Sequence, residues 1–385
     1  MARQAALSFL LPARHPRSAA FMPSFISRNQ PTRSSTGFSP TRRYEPSAAF
    51  GYRAIVLGTA LVLVLLVSTA ISLGPYPLAP GDLLAFLMAK ATGAASPLSG
   101  PAEAVILQIR VPRILAATAV GAALAASGAA YQSLFRNPLV SPDILGVSAG
   151  AAFGAVVGIF LSLPVLAIEV ASFVGGLTAV IIVYTIATAI RGRDAVLVLV
   201  LAGVVIGALF GAGVGLLKYL ADPYNQLPAI TFWLLGSLAA ANLRDLTSLL
   251  PAVAIGLVLL ALLRWRIDVM TLGDEEATAL GVNTRSLRIV VIAAATLMTS
   301  AAVAVSGIIG WVGLVVPHLA RLLIGPAFTR LLPVSVLFGA GYLLAVDTVA
   351  RTLGSVELPL GVLTAALGTP VFLWLLAFSR RPAWS

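Results

Sequence analysis

The run Ala54-Ile-Val-Leu-Gly-Thr-Ala-Leu-Val-Leu-Val-Leu-Leu-Val-Ser-Thr-Ala-Ile-Ser-Leu73 contains no Asp, Glu, Lys or Arg. At 1.5 Å of rise per residue, about 20 helical residues cross a hydrocarbon layer roughly 30 Å thick. A lipid environment offers the backbone no hydrogen bonds, so such a run must satisfy its own N–H and C=O groups as a helix. On the same ruler, spans are expected at 54–73, 113–131, 144–162, 167–190, 196–219, 245–263, 288–306, 310–324, 334–351 and 359–378. Ten spans put both termini on one side. The stretch Ile230 to Ala240 is too brief to cross and reads as a surface or re-entrant helix. The fold class expected is all-α and polytopic.

Composition agrees. Of 385 residues, 59% are hydrophobic and 10% charged, with mean hydropathy +0.99, which excludes an ordinary soluble enzyme. The net charge of +11 does not point to nucleic acid, because the cations gather in the tail and between the apolar runs. With the N-terminus cytoplasmic, 19 of the 25 Lys and Arg lie inside, and Lys90, Arg110, Arg113, Lys218, Arg244 and Arg351 lie outside. That asymmetry places both termini in the cytoplasm. Residues 1–50, rich in Arg, Ser and Pro, read as a disordered cytoplasmic tail ahead of a membrane domain at 51–385. The pair Arg42-Arg43 suggests a twin-Arg export signal, but the run after it has the length of a true span; Met22 is a second candidate initiator. No Cys is present, so neither disulfides nor Cys-ligated metals are available.

The chain has no G-x-x-x-x-G-K-[ST] phosphate loop, so energy for transport must come from a separate ATPase or an ion gradient. H-E-x-x-H does not occur, and no enzymatic activity, cofactor or metal site is expected. His318 is the only His outside the tail and reads as a packed or capping residue. Asp347 stands in the ninth expected span with Arg351 four residues on. That spacing suits a helix-end ion pair, with a proton relay as the other reading. Gly203, Gly207, Gly211 and Gly215 repeat every four residues and let another backbone approach, from the same subunit or from a second one. Asp274, Glu275, Glu276, Ala279, Leu280 and Gly281 fall in a short acidic, helix-prone segment. It is either a surface helix for a soluble partner or a solvated loop.

Four stretches, taken together and in order, resemble the FecCD family of ATP-binding-cassette importer permeases. They are Gln108-Ile-Arg-Val-Pro-Arg113 running into Gly121-Ala-Ala-Leu-Ala-Ala-Ser-Gly128; Arg136-Asn-Pro-Leu-Val-Ser-Pro-Asp143; Ser306-Gly-Ile-Ile-Gly-Trp-Val-Gly-Leu-Val-Val-Pro-His-Leu-Ala-Arg321; and Asp347 to Arg351 with Glu357-Leu-Pro-Leu-Gly361 and Gly368-Thr-Pro370. The resemblance covers about residues 54–380, and Trp311 stands where the family usually has Phe. It implies a ten-helix subunit that pairs with itself or a paralogue, two cytoplasmic ATPase subunits and an extracytoplasmic substrate-binding protein, all at the bacterial cytoplasmic membrane. It also implies a coupling helix over Asp274 to Gly281, a dimer pathway beside the glycine row, and docking arginines at Arg110, Arg113 and Arg351. Snorkelling of those arginines to the interface is the plainer alternative. Asn137, Pro138 and Pro142 read as chain-turning residues, and Pro317-His318 as shaping the eighth span. The cargo implied is a ferric siderophore, with haem, cobalamin or a gradient-driven carrier as alternatives.

Overall fold

The computed structural model describes residues 46–74, 76, 79–96, 98–190, 195–354 and 356–378. The expected tail up to residue 45, Arg191 and Arg193, and Arg380 and Arg381 lie outside the described residues. Regular structure among the described residues is entirely helical. In chain order the helices are α1 (Pro46–Ser72), α2 (Pro80–Thr92), α3 (Gly100–Ala104), α4 (Val111–Leu134), α5 (Val147–Phe160), α6 (Val165–Ala189) and α7 (Ala195–Leu220). They continue as α8 (Gln226–Leu235), α9 (Leu243–Met270), α10 (Asp274–Ala279), α11 (Thr284–Ser306), α12 (Val312–Ile324), α13 (Phe328–Ala350) and α14 (Leu360–Phe378).

Among the described residues, seven helical segments are long and apolar enough to cross a bilayer. The third, eighth and tenth expected spans appear as shorter apolar helices at Val147–Phe160, Val312–Ile324 and Leu360–Leu375, and the expected surface helix appears as α8. Two ends are displaced from expectation for local reasons. α5 starts late because Pro142 opens a separate 3-10 turn that closes on Gly146 at φ 77. α4 runs back without a break through a π turn at Val105–Arg110 into α3, giving a 35-residue segment where a start at residue 113 was expected. α2, capped by Gly93 at φ 71, had no counterpart in the sequence reading. α1 begins at Pro46, inside the expected tail.

α4 is the hub. Twenty-one of its residues from Pro112 to Leu134 are buried, which a helix achieves on all sides when it is built mainly of Ala, Gly and Ser. α13 crosses it where Gly121 faces Gly339, and α12 crosses it where Gly128 faces Gly313. α11 binds it through Ser127 Oγ to the Ala295 carbonyl at 3.1 Å and through Tyr131 to Thr296 at 3.1 Å. α5 and α6 form a tight antiparallel pair, with Gly150 against Gly175 and Gly154 against Ala171. α7 lies across that pair.

Helix ends are satisfied by specific groups. Asn242 and Asp245 form a reciprocal capping box at the start of α9. α13 is capped from another helix, because Asp268 in the last turn of α9 accepts from the N–H groups of Phe328 and Thr329. An acid in a helix's last turn is disfavoured by the helix dipole, so Asp268 is explained by the second helix it caps.

Candidate functional site

Arg110, Arg113 and Arg351 meet at the end of the bundle opposite α10, and none is free. All three are buried. Arg113 bridges two acids: its Nε lies 3.0 and 3.1 Å from the two Asp347 carboxylate oxygens and its Nη2 lies 2.9 Å from Asp347 Oδ1. Its Nη1 and Nη2 reach Glu357 at 2.8 and 3.0 Å. Asp347 is wholly buried, whereas the Glu357 side chain is 41% exposed. Arg110 donates to the carbonyls of Ile71, Ser72 and Tyr76, and Arg351 to those of Ala70 and Leu73. The C-terminal carbonyls of α1, which have no intrahelical donors, are thereby satisfied by two arginines from other elements.

This arrangement revises the expected Asp347–Arg351 pair. The i,i+4 contact exists, but at 3.8 Å it is secondary to the contacts from Arg113. Glu357, quoted in the sequence motif without a role, is the cluster's exposed acid. A 190 Å³ cavity lined by Tyr76, Arg110, Arg113, Arg351 and Glu357 opens beside it. With three guanidinium groups against two carboxylates, the cluster carries an excess positive charge where an acidic side chain can arrive.

At the opposite end, α10 covers Asp274 to Ala279, and Leu280 and Gly281 follow in a turn with Gly281 at φ 81. Ala277 and Val282 are buried and hold the segment to the bundle, and Asp274 pairs with Arg288 at 3.0 Å. Glu275, Glu276 and Ala279 are exposed, as is Leu280 at 56%. The segment is an anchored helix with an outward face.

The α7 glycine row divides. At 3.6 residues per turn, positions four apart drift by about 40°, so the row winds around the helix. Gly203 is buried, and a Cβ there would stand 2.9 Å from Leu145 Cα and 3.0 Å from the Ile144 carbonyl carbon. Gly207 approaches Gly146 and Ala149 at ordinary contact distance. A Cβ on Gly211 or Gly215 would meet nothing within 4 Å. The lower half therefore serves packing inside the subunit, and the upper half is an open strip. We predict that Gly203→Ala lowers thermal stability by itself. Gly211→Leu is expected to leave the thermal midpoint in detergent unchanged, because a side chain there meets open space; a lowered midpoint would show that the strip is packed.

The remaining motif residues build turns. Arg136 at φ 49 ends α4 in a Schellman arrangement, with Asn137 N–H bonded to the Gln132 carbonyl at 3.1 Å and Arg136 N–H to that of Ser133 at 3.3 Å. Asn137 Oδ1 then accepts from Leu139 N–H at 2.9 Å. Pro138 follows, and Pro142 starts the 3-10 turn and abuts Gly313. Pro317 and His318 are buried within α12, His318 beside the Pro138 backbone. Among the described residues no three His, Asp or Glu groups form a cluster able to hold a metal.

Residues 61–378 match the profile of the FecCD transport family. The molybdate import system permease protein MolB of Haemophilus influenzae is 40% identical over 321 residues, covering 83% of this chain and 94% of that one. A permease protein of Helicobacter pylori strain 26695, described as part of an iron chelatin transport system, is 41% identical over 276 residues, covering 72% and 83%. A solved inward-facing structure assigned to a metal-chelate type ABC transporter superposes with a TM-score of 0.76 at 37% identity, covering 84% of this chain and 99% of that one.

Proposed function

The chain belongs to the FecCD transport family and is a multi-pass membrane permease of an ABC importer of that type; on that premise we propose that its cargo is a ferric siderophore. It works as one of two subunits around a shared pathway, and takes its energy from two separate cytoplasmic ATPases while itself catalysing no covalent step. The observation that carries the coupling is α10, which Ala277 and Val282 anchor and whose Glu275, Glu276, Ala279 and Leu280 face outward. An ATPase pressing on that face moves α9 and α11, between which α10 is held, and α9 carries the motion to α13 through Asp268. On this reading both termini are cytoplasmic, in the bacterial inner membrane, and the Arg113 cluster faces outward. There an acidic side chain of a substrate-binding protein docks by replacing Glu357 as the exposed partner of Arg113.

The iron chelatin relative supports the siderophore, and the molybdate relative, matched over 94% of its length, supports an oxyanion as the second reading. Uptake of iron-55 on a siderophore panel, alongside labelled molybdate, hemin and cobalamin, is compared in iron-starved cells with and without the gene. Loss of siderophore uptake, with sensitivity to ATP depletion, is expected. Loss of molybdate uptake alone would replace the siderophore. For α10, Leu280→Asp is expected to weaken ATPase copurification by about tenfold or more while leaving the permease folded. Undiminished copurification would remove α10 from that interface.

A further inference from the structure

Glu169 lies one turn into α6 and has no role in the pathway, docking or coupling assigned above. α5 has 14 residues, about 21 Å of helix, which falls short of a bilayer core. The turn from α5 to α6 is apolar at its surface, with Leu161, Leu163, Val165 and Leu166 exposed. An apolar turn of this kind suits the headgroup boundary of a bilayer, and we read Glu169, one turn further on, as a carboxylate at that boundary. It is half-buried and forms no hydrogen bond or ion pair with any described residue. An unpaired carboxylate in such a setting is costly, and it is relieved either by taking up a proton or by a counter-charge from outside the chain.

The surrounding space shows which kind. A furrow between α6, α9 and α11 holds a 240 Å³ cavity walled by Val170, Phe173, Ala252, Ala301 and Ala304, with Glu169 and Leu166 at its rim. The same two rim residues line a 620 Å³ cavity toward the end bearing Arg113, whose other walls include Gln108, Asn242, Arg244 and Asp245. A third cavity, of 330 Å³ beneath α8, also reaches Glu169. Further along the same three helices, Leu177, Ile181, Leu259, Val290 and Leu297 line another 540 Å³. The furrow therefore has a polar head and an apolar stem. Its head carries both signs of charge: the carboxylates of Glu169 and Asp245, and the exposed guanidinium of Arg244, which has no ion-pair partner among the described residues.

We propose that this furrow is a binding site for a phospholipid with a primary-amine headgroup. The ammonium pairs with Glu169, the phosphate with Arg244, and an acyl chain lies along Val170, Phe173 and the α11 alanines. A free ammonium presents three N–H donors to the carboxylate, and a trimethylated headgroup presents none. Asp245 contributes negative potential while its Oδ2 stays on the Asn242 N–H at 3.0 Å.

The test uses the full chain in mild detergent, offered palmitoyl-oleoyl phosphatidylethanolamine, phosphatidylcholine or phosphatidylglycerol, with retained lipid read by native mass spectrometry. Phosphatidylethanolamine is expected to be retained about tenfold over phosphatidylcholine. Glu169→Gln should bring it down to the phosphatidylcholine level with thermal unfolding unchanged, because Glu169 holds no internal bond. Glu169→Asp should keep part of the preference, and Arg244→Gln should lower retention of both zwitterionic lipids. Equal retention of the two zwitterionic lipids, no effect of Glu169→Gln, or strongest retention of phosphatidylglycerol would overturn the proposal. Displacement by water-soluble phosphoethanolamine would also overturn it, by pointing to a soluble ligand.

Discussion

Arg113→Ala is expected to lower the free energy of unfolding by about 3–5 kcal/mol, the usual result of stripping one partner from a buried ion pair. Asp347 has no exposed surface, and three of its contacts, at 2.9–3.1 Å, come from Arg113. Without them its carboxylate keeps only the Arg351 Nε at 3.8 Å. Lys at this position cannot substitute, because an ammonium lacks the planar fork that spans Asp347 and Glu357 together. Glu357→Gln provides the control. Its side chain is 41% exposed and its pairing is screened by solvent, so the loss should stay below about 1 kcal/mol. The pair Arg113→Leu with Asp347→Leu removes both charges at once and should recover most of the stability lost by the single change. Reversible unfolding of the purified protein in mixed micelles separates these cases. Equal losses for Arg113→Ala and Glu357→Gln would show that the buried pair has no special weight. The proposed docking role of this cluster is therefore better tested on Glu357 variants, since loss of Arg113 also removes stability.

Gly128→Ala should be the most damaging single-methyl change in the chain. The added Cβ would stand 2.6 Å from the carbonyl carbon and 2.8 Å from the Cα of Gly313, and closer still to its oxygen. All three are backbone atoms of α12, so no rotamer change relieves the clash. Overpacking of this kind costs about 3 kcal/mol or more when whole helices must move apart. Gly121 makes an equivalent crossing, 2.8 Å from the Gly339 carbonyl carbon, so the two helices that sandwich α4 are both seated by glycine. Gly211→Ala is the matched comparison: it faces open space, and Ala is the better helix former, so stability should be unchanged within about 0.5 kcal/mol. Membrane-inserted yield and thermal midpoint in detergent measure both. A Gly128→Ala protein as stable as the unmodified chain would mean that α4 and α12 do not meet at this crossing.

Much of the architecture was legible residue by residue. A membrane helix satisfies its backbone within its own segment, so the apolar runs alone located α1, α6, α7, α9, α11 and α13. The turn residues Asn137, Pro138 and Pro142 and the short α10 were legible for the same reason, since caps and prolines act over four or five neighbours. Long-range partners were not. Sequence spacing pointed to Arg351 for Asp347, but the main partner is Arg113, 234 residues away, because helix crossing and not chain distance brings charges together. The regular spacing of Gly203 to Gly215 likewise suggested one contact for the whole row, whereas winding of about 40° per step divides it between the 3-10 turn and start of α5 on one side and open space on the other. The glycines at which helices cross α4, Gly121 and Gly128, could be quoted from the sequence as a motif, but their necessity depends on Gly339 and Gly313 lying opposite. Local hydrogen bonding and hydrophobic length thus determined the helices, and only their tertiary crossing decided which buried charges and which backbones meet.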